Sequence, residues 1–528
     1  MWHVPPHLVP VVPSFFLARC GNWCYSICKR LELTRNDNPK KGPDNMNLRP
    51  CLLTTFALCA SIARASWVYT ETNATETAVA AGTANGKGTL TDGVWTFGAV
   101  RTKGTHNLAV DCSRGTFAGT QPSPIDFSTG VTDGNATPCA VTSFTKFSAG
   151  KSGNMREYKD MLTAFIAPDC KTLGTHGVGY DFASCTMLTT VVLNDAVFIN
   201  KGGYIFLGCT SLAAFSPRSL KVGDCGGLFS GCSSLDGTFE FPDIYTIPSY
   251  MFDGCGQIEE VKAPKATAIN EYAFKNCTSL TNVASAAITA IGRGAFQGCT
   301  SIDKNFVYSL LDADLRRLGN VKTDERSYVF SGCTGISGEF VWNLPQLDTN
   351  IVPAYCFAYC TGISRVLFKT PAHSIYQYAF LDMGPGAELY VPADPPTYFG
   401  PNAIAATAIK GNKDPLPTPV NYPKVYLSAN IDEWLAVMDV QHCLFPKSEF
   451  NNQSWSGTDA MYSTAHSWSQ ITTMMAADSA MCRKDSSGIT VYDNKVLAFL
   501  YYRNRDQRTH YGCWVLRAPV TGTKIMVQ

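Results

Sequence analysis

The chain has 528 residues, of which 45% are hydrophobic, 12% aromatic and only 16% charged, and its formal net charge is +1. A charge this low and this balanced gives no sign of the basic patch or stripe that a nucleic-acid partner requires, and none is expected. The apolar content is that of an ordinary globular protein, and the charged fraction is below the usual quarter.

Residues 1–45 hold prolines, Cys20, Cys24 and Cys28, and a polar tail ending Lys40-Lys41-Gly42-Pro43-Asp44-Asn45. The three cysteines would share one face of a helix, a spacing too weak to define a metal site. Next come Met46-Asn47-Leu48-Arg49, an apolar run from Cys51 to Ile62, and Ala63-Arg64-Ala65 before Ser66-Trp67. A charged start, a short apolar stretch and an A-x-A site make a secretory signal peptide over 46–65. Translation is therefore expected to start at Met46 and the mature chain near Ser66, with 1–45 a leader upstream of the true start. The run is too short for a comfortable membrane span, which needs about 20 residues. Leu58 before Cys59 disfavours a lipoprotein anchor. No other segment reads as membrane-spanning, so secretion or display at the cell surface is expected.

Residues 66–150 are rich in Thr, Gly and Ala. Strand-like pieces such as Val94-Trp95-Thr96-Phe97 and Leu108-Ala109-Val110 are separated by turn signals at Asp92-Gly93 and Asp133-Gly134. This predicts a β-rich N-terminal cap.

From there a Phe-x-x-Cys unit recurs: Phe182/Cys185, Phe206/Cys209, Phe229/Cys232, Phe252/Cys255, Phe274/Cys277, Phe296/Cys299, Phe330/Cys333 and Phe357/Cys360. Most steps are 22 to 24 residues, and the longer ones carry insertions at Tyr308–Ser327 and Asn343–Tyr355. A ninth copy at Phe380 has Met383 in place of the cysteine. One copy reads Tyr272-Ala273-Phe274-Lys275-Asn276-Cys277-Thr278-Ser279-Leu280-Thr281-Asn282-Val283, and another Gly294-Ala295-Phe296-Gln297-Gly298-Cys299-Thr300-Ser301-Ile302. A fixed period of this size is the mark of a solenoid. The spacing predicts one short strand per coil, with Leu280, Val283 and their equivalents inward and the Phe filling the far side. Gly or Asn before the cysteine fits a left-handed turn residue.

The unit resembles the leucine-rich repeats of the BspA type, over roughly residues 162–392. The resemblance implies a right-handed solenoid in a surface or secreted protein. Its members are associated with adhesion and with binding host or matrix proteins, mostly without demonstrated enzymatic activity. The insertions and the degenerate last copy depart from the pattern.

One cysteine per coil makes a column, not the close pairs of a zinc site. The plain reading is a small buried residue with a weak S–H donor, with occasional cross-coil disulfides as the alternative. Cys112 and Cys139 can bridge, and Cys443, Cys482 and Cys513 form an odd set whose connectivity the sequence leaves open. No cofactor and no metal are expected.

The repeat array is placed at 151–395 and a linker at 396–422, on Gly411, Asn412, Pro415, Pro417 and Pro419. A C-terminal α+β module of no recognised family is placed at 423–528. Its strands are Pro423–Ser428, Lys495–Tyr502 and Tyr511–Leu516, the last two forming a hairpin around Arg503–Arg508. Ile431–Val437 and Gln470–Met481 are helix candidates. The predicted fold is thus a mainly β repeat solenoid of parallel strands with short helical turns, a β-rich cap and this module.

Catalysis needs a small set of positioned groups. His106, His176 and His373 fall in separate regions without helical zinc spacing, and His442-Cys443, His466, His510 and Cys513 are scattered through the module. There is no His-Glu-x-x-His, no Gly-x-Ser-x-Gly and no phosphate-binding loop. No catalytic residue is assigned. What remains is a surface: the outward strand column Val192, Ser216, Glu240, Lys262, Ala284, Val341 and Leu367. Its apolar end, with Tyr355 and Tyr359 close in sequence, is a candidate patch. The function expected is non-catalytic binding of an extracellular protein or glycan, with oligomeric state left open. Two alternatives stand beside it: an extracellular enzyme with its chemistry in 423–528, and a self-associating envelope component.

Overall fold

The computed structural model describes residues 66–72, 85–145, 147, 154–173, 180–195, 197–199, 203–223, 225–286, 288–311, 316–319, 326–343, 350–369, 372–391, 398–400, 403–410, 422–427, 482–484, 490–492, 496–504 and 509–517. The leader, the signal segment and both C-terminal helix candidates lie outside the described residues.

Seven strands open the described chain: β1 (Trp67–Glu71), β2 (Gly86–Thr91), β3 (Trp95–Arg101), β4 (Asn107–Phe117), β5 (Ser123–Asp126), β6 (Val131–Asp133) and β7 (Pro138–Thr145). Their order is β7-β4-β3-β2-β1-β6, and β6 pairs back onto β7, so six of them close a ring. The alternation in β3 shows why. Trp95, Phe97, Ala99 and Arg101 are buried, and the residues between them are half-exposed, the period of two that one buried face demands. The aspartates of the turn signals hold their turns: Asp92 Oδ1 accepts the amides of Val94 (2.9 Å) and Trp95 (2.7 Å).

The repeat ladders grow directly out of this ring. β5 pairs in parallel with Leu162–Ala167, and β7 with Thr172–Leu173. Each coil therefore contributes two strands where the spacing predicted one. The first is three to seven residues long, such as Gln257–Ala263 and Asn282–Ser285, and follows Cys-x-x-Leu. The second has only two residues, such as Ala268–Ile269 and Ala290–Ile291. Two residues cannot display the alternation by which strands are recognised, so this ladder is silent in sequence. Successive coils pair in parallel and in step, with Val261 opposite Val283 and Ile269 opposite Ile291.

The third side of the coil is the turn carrying Phe-x-x-Cys. Its backbone bonds coil to coil, as Phe252 N–H donates to Ala273 O (2.8 Å) and Gly254 N–H to Lys275 O (2.7 Å). The phenylalanines form a continuous stack. Phe252, Phe274, Phe296 and Phe330 follow at centroid separations of 5.8, 5.5 and 5.6 Å, with ring planes within 12°. The cysteines form a parallel column with a directed bond. From Cys209 onward each Sγ donates to the carbonyl of the preceding coil's Phe, as in Cys255 to Phe229 (2.9 Å), Cys277 to Phe252 (3.0 Å) and Cys299 to Phe274 (2.9 Å). A cysteine here fills the space of a small apolar group and also serves a carbonyl lone pair, which alanine cannot do. The eight column thiols are all unbridged and buried, and Cys112 is a buried thiol that forms no bridge to Cys139.

The first insertion holds a helix, α1 (Lys304–Leu311), absent from the expected layout. Asp303 caps it by accepting the Phe306 amide (2.8 Å), and Phe306, Val307 and Leu310 are its buried face, a helical pattern with its cap at the normal position. It stands where that coil's first strand would be: Tyr308 stacks on Phe340 at 5.4 Å and its hydroxyl accepts the Val341 amide (2.8 Å).

The linker and the separate C-terminal module require correction. Tyr398–Phe399 extends the second ladder, and Ile404–Lys410 pairs with Phe380–Leu381. Lys424–Leu427 is the next rung of the first ladder, with Glu388 opposite Lys424 and Tyr390 opposite Tyr426. The hairpin of Val496–Asn504 and Thr509–Arg517 forms as predicted and joins the same sheet through Thr509–Arg517. Proline content misled the linker assignment. The prolines at 415, 417 and 419 fall outside the described residues, and the segment before them is Ala/Ile-rich strand. Among the described residues, no helix is long and apolar enough to cross a membrane.

Candidate functional site

The predicted column faces outward in three separate stretches. Val192 and Ser216 are partners, Glu240, Lys262 and Ala284 form one line, and Val341 and Leu367 another. All seven are exposed or half-exposed. The column is broken where α1 replaces a strand.

The last stretch is the most developed. Beyond Leu367 the register continues to Tyr390 and then Tyr426, neither of them singled out from sequence. The two rings stack at 4.6 Å, and Arg365 lies over the Tyr390 ring at 5.4 Å. Glu388 organises the group. Its Oε2 accepts Arg365 Nε (3.0 Å), Arg365 Nη2 (2.9 Å) and the Tyr390 hydroxyl (3.3 Å), and its Oε1 accepts the Tyr426 hydroxyl (3.3 Å). Glu339 adds a second carboxylate 3.4 Å from Arg365. Burial, and then the neighbouring Glu388 charge, raise the Tyr390 pKa, so its hydroxyl stays a donor. Ion pairs this exposed contribute little to stability. Their structural effect is to hold two tyrosines and an arginine in fixed rotamers.

The stripe Val341–Leu367–Tyr390–Tyr426 is bounded at both ends. Helix α1 stands beside Val341, and at the far end the next rung presents Trp514 and Leu516, both buried. Four rungs at the usual strand spacing span about 14 Å. The result is an apolar and aromatic centre with a charged rim.

Tyr355 and Tyr359 do not join this patch. They belong to the turn side of the coil, where Tyr355 stacks on Tyr378 (4.7 Å) and meets Tyr328 at a tilt (4.8 Å). The position two before each Phe is a ladder of its own: Tyr180, Tyr204, Gly227, Tyr250, Tyr272, Gly294, Tyr328, Tyr355 and Tyr378, every one at positive φ between 52° and 67°. A left-handed backbone costs an ordinary residue about 1–2 kcal/mol, and aromatic stacking returns about 0.5–1.5 kcal/mol per pair. Where glycine interrupts the ladder, the preceding ring fills the gap. A Cβ on Gly294 would stand 2.3 Å from the Tyr272 ring. Gly294→Ala is therefore expected to destabilise the array by at least about 1–2 kcal/mol, read as a lowered thermal midpoint. The recurring Tyr-x-Phe was visible in the repeats and carries this ladder.

Among the described residues, the histidines and cysteines weighed for catalysis do not converge: His106 lies in the turn before β4, His373 in the repeat array and Cys513 is buried in the last strand. His176, Cys443 and His466 lie outside the described residues, as does the side chain of His510.

Two parallel ladders joined by a turn with a fixed Phe/Cys core define a leucine-rich repeat protein. The family described as the BspA type leucine rich repeat region matches residues 225–312 and 318–409, in 6 copies. No match was found among curated proteins. Among solved structures, the chain is similar to a leucine rich cell surface protein from Faecalibacterium prausnitzii, at 16% identity, covering 66% of this chain and 97% of that one with a TM-score of 0.35. It is also similar to a leucine-rich repeat protein from Bacteroides ovatus, at 17% identity, covering 58% and 87% with a TM-score of 0.32. A third, a leucine-rich repeat protein from Eubacterium ventriosum, shares 13% identity over 62% of this chain and 96% of that one, with a TM-score of 0.28.

Proposed function

We propose that this is a secreted or cell-surface protein that binds an extracellular protein or glycan without catalysis, in an adhesion-like role. The observation that carries this reading is the stripe Val341–Leu367–Tyr390–Tyr426. It places half-exposed apolar and aromatic groups in one register and rims them with Glu339, Arg365 and Glu388. A polar rim around an apolar, aromatic-rich centre is the composition of a recognition surface, and tyrosine and arginine are the residues in which binding energy concentrates. Holding them through Glu388 before a partner arrives reduces the ordering cost of association. A solenoid face supplies the extended surface such recognition uses, and the BspA-type repeat supports the surface location.

The test is capture from extracellular and envelope material, with a glycan array in parallel. Wild-type full-length protein is compared with the variants Tyr390→Ala and Leu367→Asp. Each variant is expected to weaken the captured interaction by roughly tenfold or more, the effect of losing a hot-spot side chain. Capture that is unchanged in both variants would remove this stripe as the binding surface.

A further inference from the structure

The turn before β4, the end of β6 and the start of β7 bring together three side chains of different chemistry. One ligand atom each from His106, Asp133 and Cys139 lie within 4.8 Å of one another. The backbone fixes this meeting: Ala140 N–H donates to His106 O (3.0 Å), and Asp133 N–H to Thr137 O (2.9 Å). Asp133 is buried and firmly held. Its Oδ1 accepts the amides of Asn135 (3.0 Å) and Thr137 (2.9 Å), and its Oδ2 accepts Arg101 Nη1 (3.3 Å). Arg101 is shared with Glu71 at 2.7 Å. Two carboxylates against one guanidinium leave a net negative charge beside a thiol and an imidazole.

Beneath the three lies a second observation. Glu71 Oε1 is buried and makes no hydrogen bond, although buried polar groups in native proteins rarely lack one, and the buried Tyr69 hydroxyl sits near it against the Arg101 backbone. Tyr69 stands opposite Asp133 in the β1–β6 pairing. Burial, then the Glu71 charge, push its pKa up to about 12, and Arg101 and Cys139 are its other electrostatic neighbours. The chain makes room for this polar group with glycine. A Cβ on Gly86 would fall 1.5 Å from Glu71 Oε1.

We propose that His106, Asp133 and Cys139 are a binding site for a zinc-type transition-metal dication, with a fourth position left for water. A mixed nitrogen, oxygen and sulfur donor set selects such ions over calcium and magnesium, which take oxygen alone. Tetrahedral zinc, with bonds of about 2.0–2.3 Å, separates its ligand atoms by roughly 3.3–3.8 Å. The site must close by about an ångström, and the exposed His106 is the side chain that can move. Arg101 and the two turn amides are then the outer partners that orient the Asp133 carboxylate. Binding displaces the Cys139 proton, so affinity rises with pH. The three ligands form no sequence motif, because a turn and two strand ends, 27 residues or more further on, supply them.

The test uses full-length protein freed of metal by a chelator and titrated with Zn²⁺ alone, and with Co²⁺ as the spectroscopic probe. Wild type is expected to take up one equivalent of Zn²⁺ more than either His106→Ala or Cys139→Ser. It should show a thiolate-to-cobalt charge-transfer band that Cys139→Ser lacks. Affinity at this site should fall in each variant by at least roughly 10–100-fold, the loss seen when even outer partners of a ligand are removed. Zn²⁺ should raise the thermal midpoint of wild type and not that of His106→Ala, whose exposed side chain can be removed without disturbing the fold. Equal Zn²⁺ uptake by wild type and both variants would overturn the proposal, because the metal would then sit on other residues such as Cys20, Cys24 and Cys28. A cobalt complex without the charge-transfer band would overturn it as well.

Discussion

Replacing Phe274 with alanine is expected to lower the unfolding free energy by about 3–5 kcal/mol, the cost of removing a buried aromatic ring. The ring lies fully inside the stack, 5.8 Å from Phe252 and 5.5 Å from Phe296, with interplanar angles of 5° and 12°. Its neighbours cannot collapse into the gap. Their backbones are pinned coil to coil, with Phe252 N–H on Ala273 O and Phe274 N–H on Ala295 O. The lost transfer energy and the residual cavity therefore add. In a repeat array stability is a sum of coil terms and nearest-neighbour interfaces, so a defect here weakens the interfaces on both sides of one coil. Denaturant unfolding of full-length wild type and variant should show a clearly lower midpoint for Phe274→Ala, and an early phase if the array divides at that coil. A midpoint unchanged within error would mean that the two strand ladders alone hold the coils together.

What could be read in advance follows from what repeats. The Phe and Cys of each coil point inward once per period, so their spacing survives every insertion and names the core. The residue before each cysteine also obeys the geometry. Gly254, Asn276 and Gly298 all have positive φ, and Tyr359 takes the same conformation at φ 63°. The outward column was legible only as a register. Which part of it gathers chemistry depends on α1, which interrupts the sheet, and on Lys424–Leu427, which extends it past the apparent end of the repeats. Tyr390 and Tyr426 were missed for that reason. The sequence distance between them is set by an intervening segment, while their contact is set by parallel pairing. The His106, Asp133 and Cys139 group was not legible because residues of unlike type, brought from a turn and two strand ends, carry no periodic signal.

Raising the pH above about 9 is expected to unfold the repeat array steeply, through the cysteine column. Burial pushes the thiols of Cys209 and Cys360 from 9.0 up to about 12. Burial likewise holds Cys185, Cys232, Cys277 and Cys333 well above 9.0. The folded chain keeps these protons where the unfolded chain has released them. Between the unfolded and folded values the unfolded state therefore binds fewer protons, and stability falls as pH rises. Each such thiol removes about 1.4 kcal/mol per pH unit in that window. Cys209 and Cys360 together remove about 3 kcal/mol per unit, against a total stability of about 5–15 kcal/mol for a folded domain. The rest of the column adds to the slope. Below pH 9 the same thiols are protonated in both states and contribute no pH dependence. Circular dichroism from pH 7 to 12, with reductant present, should show a flat region and then a cooperative loss of β signal. The double variant Cys209→Ala/Cys360→Ala should start from lower stability, having lost two S–H donors to Phe182 and Phe330, yet fall less steeply above pH 9. A native signal retained to pH 12 would mean that the column admits water and that its thiols ionise in place. In that case the column thiols of the native protein at pH 8 should also be labelled by a thiol reagent, beyond the half-exposed Cys139, whereas a sealed column should be labelled only on unfolding.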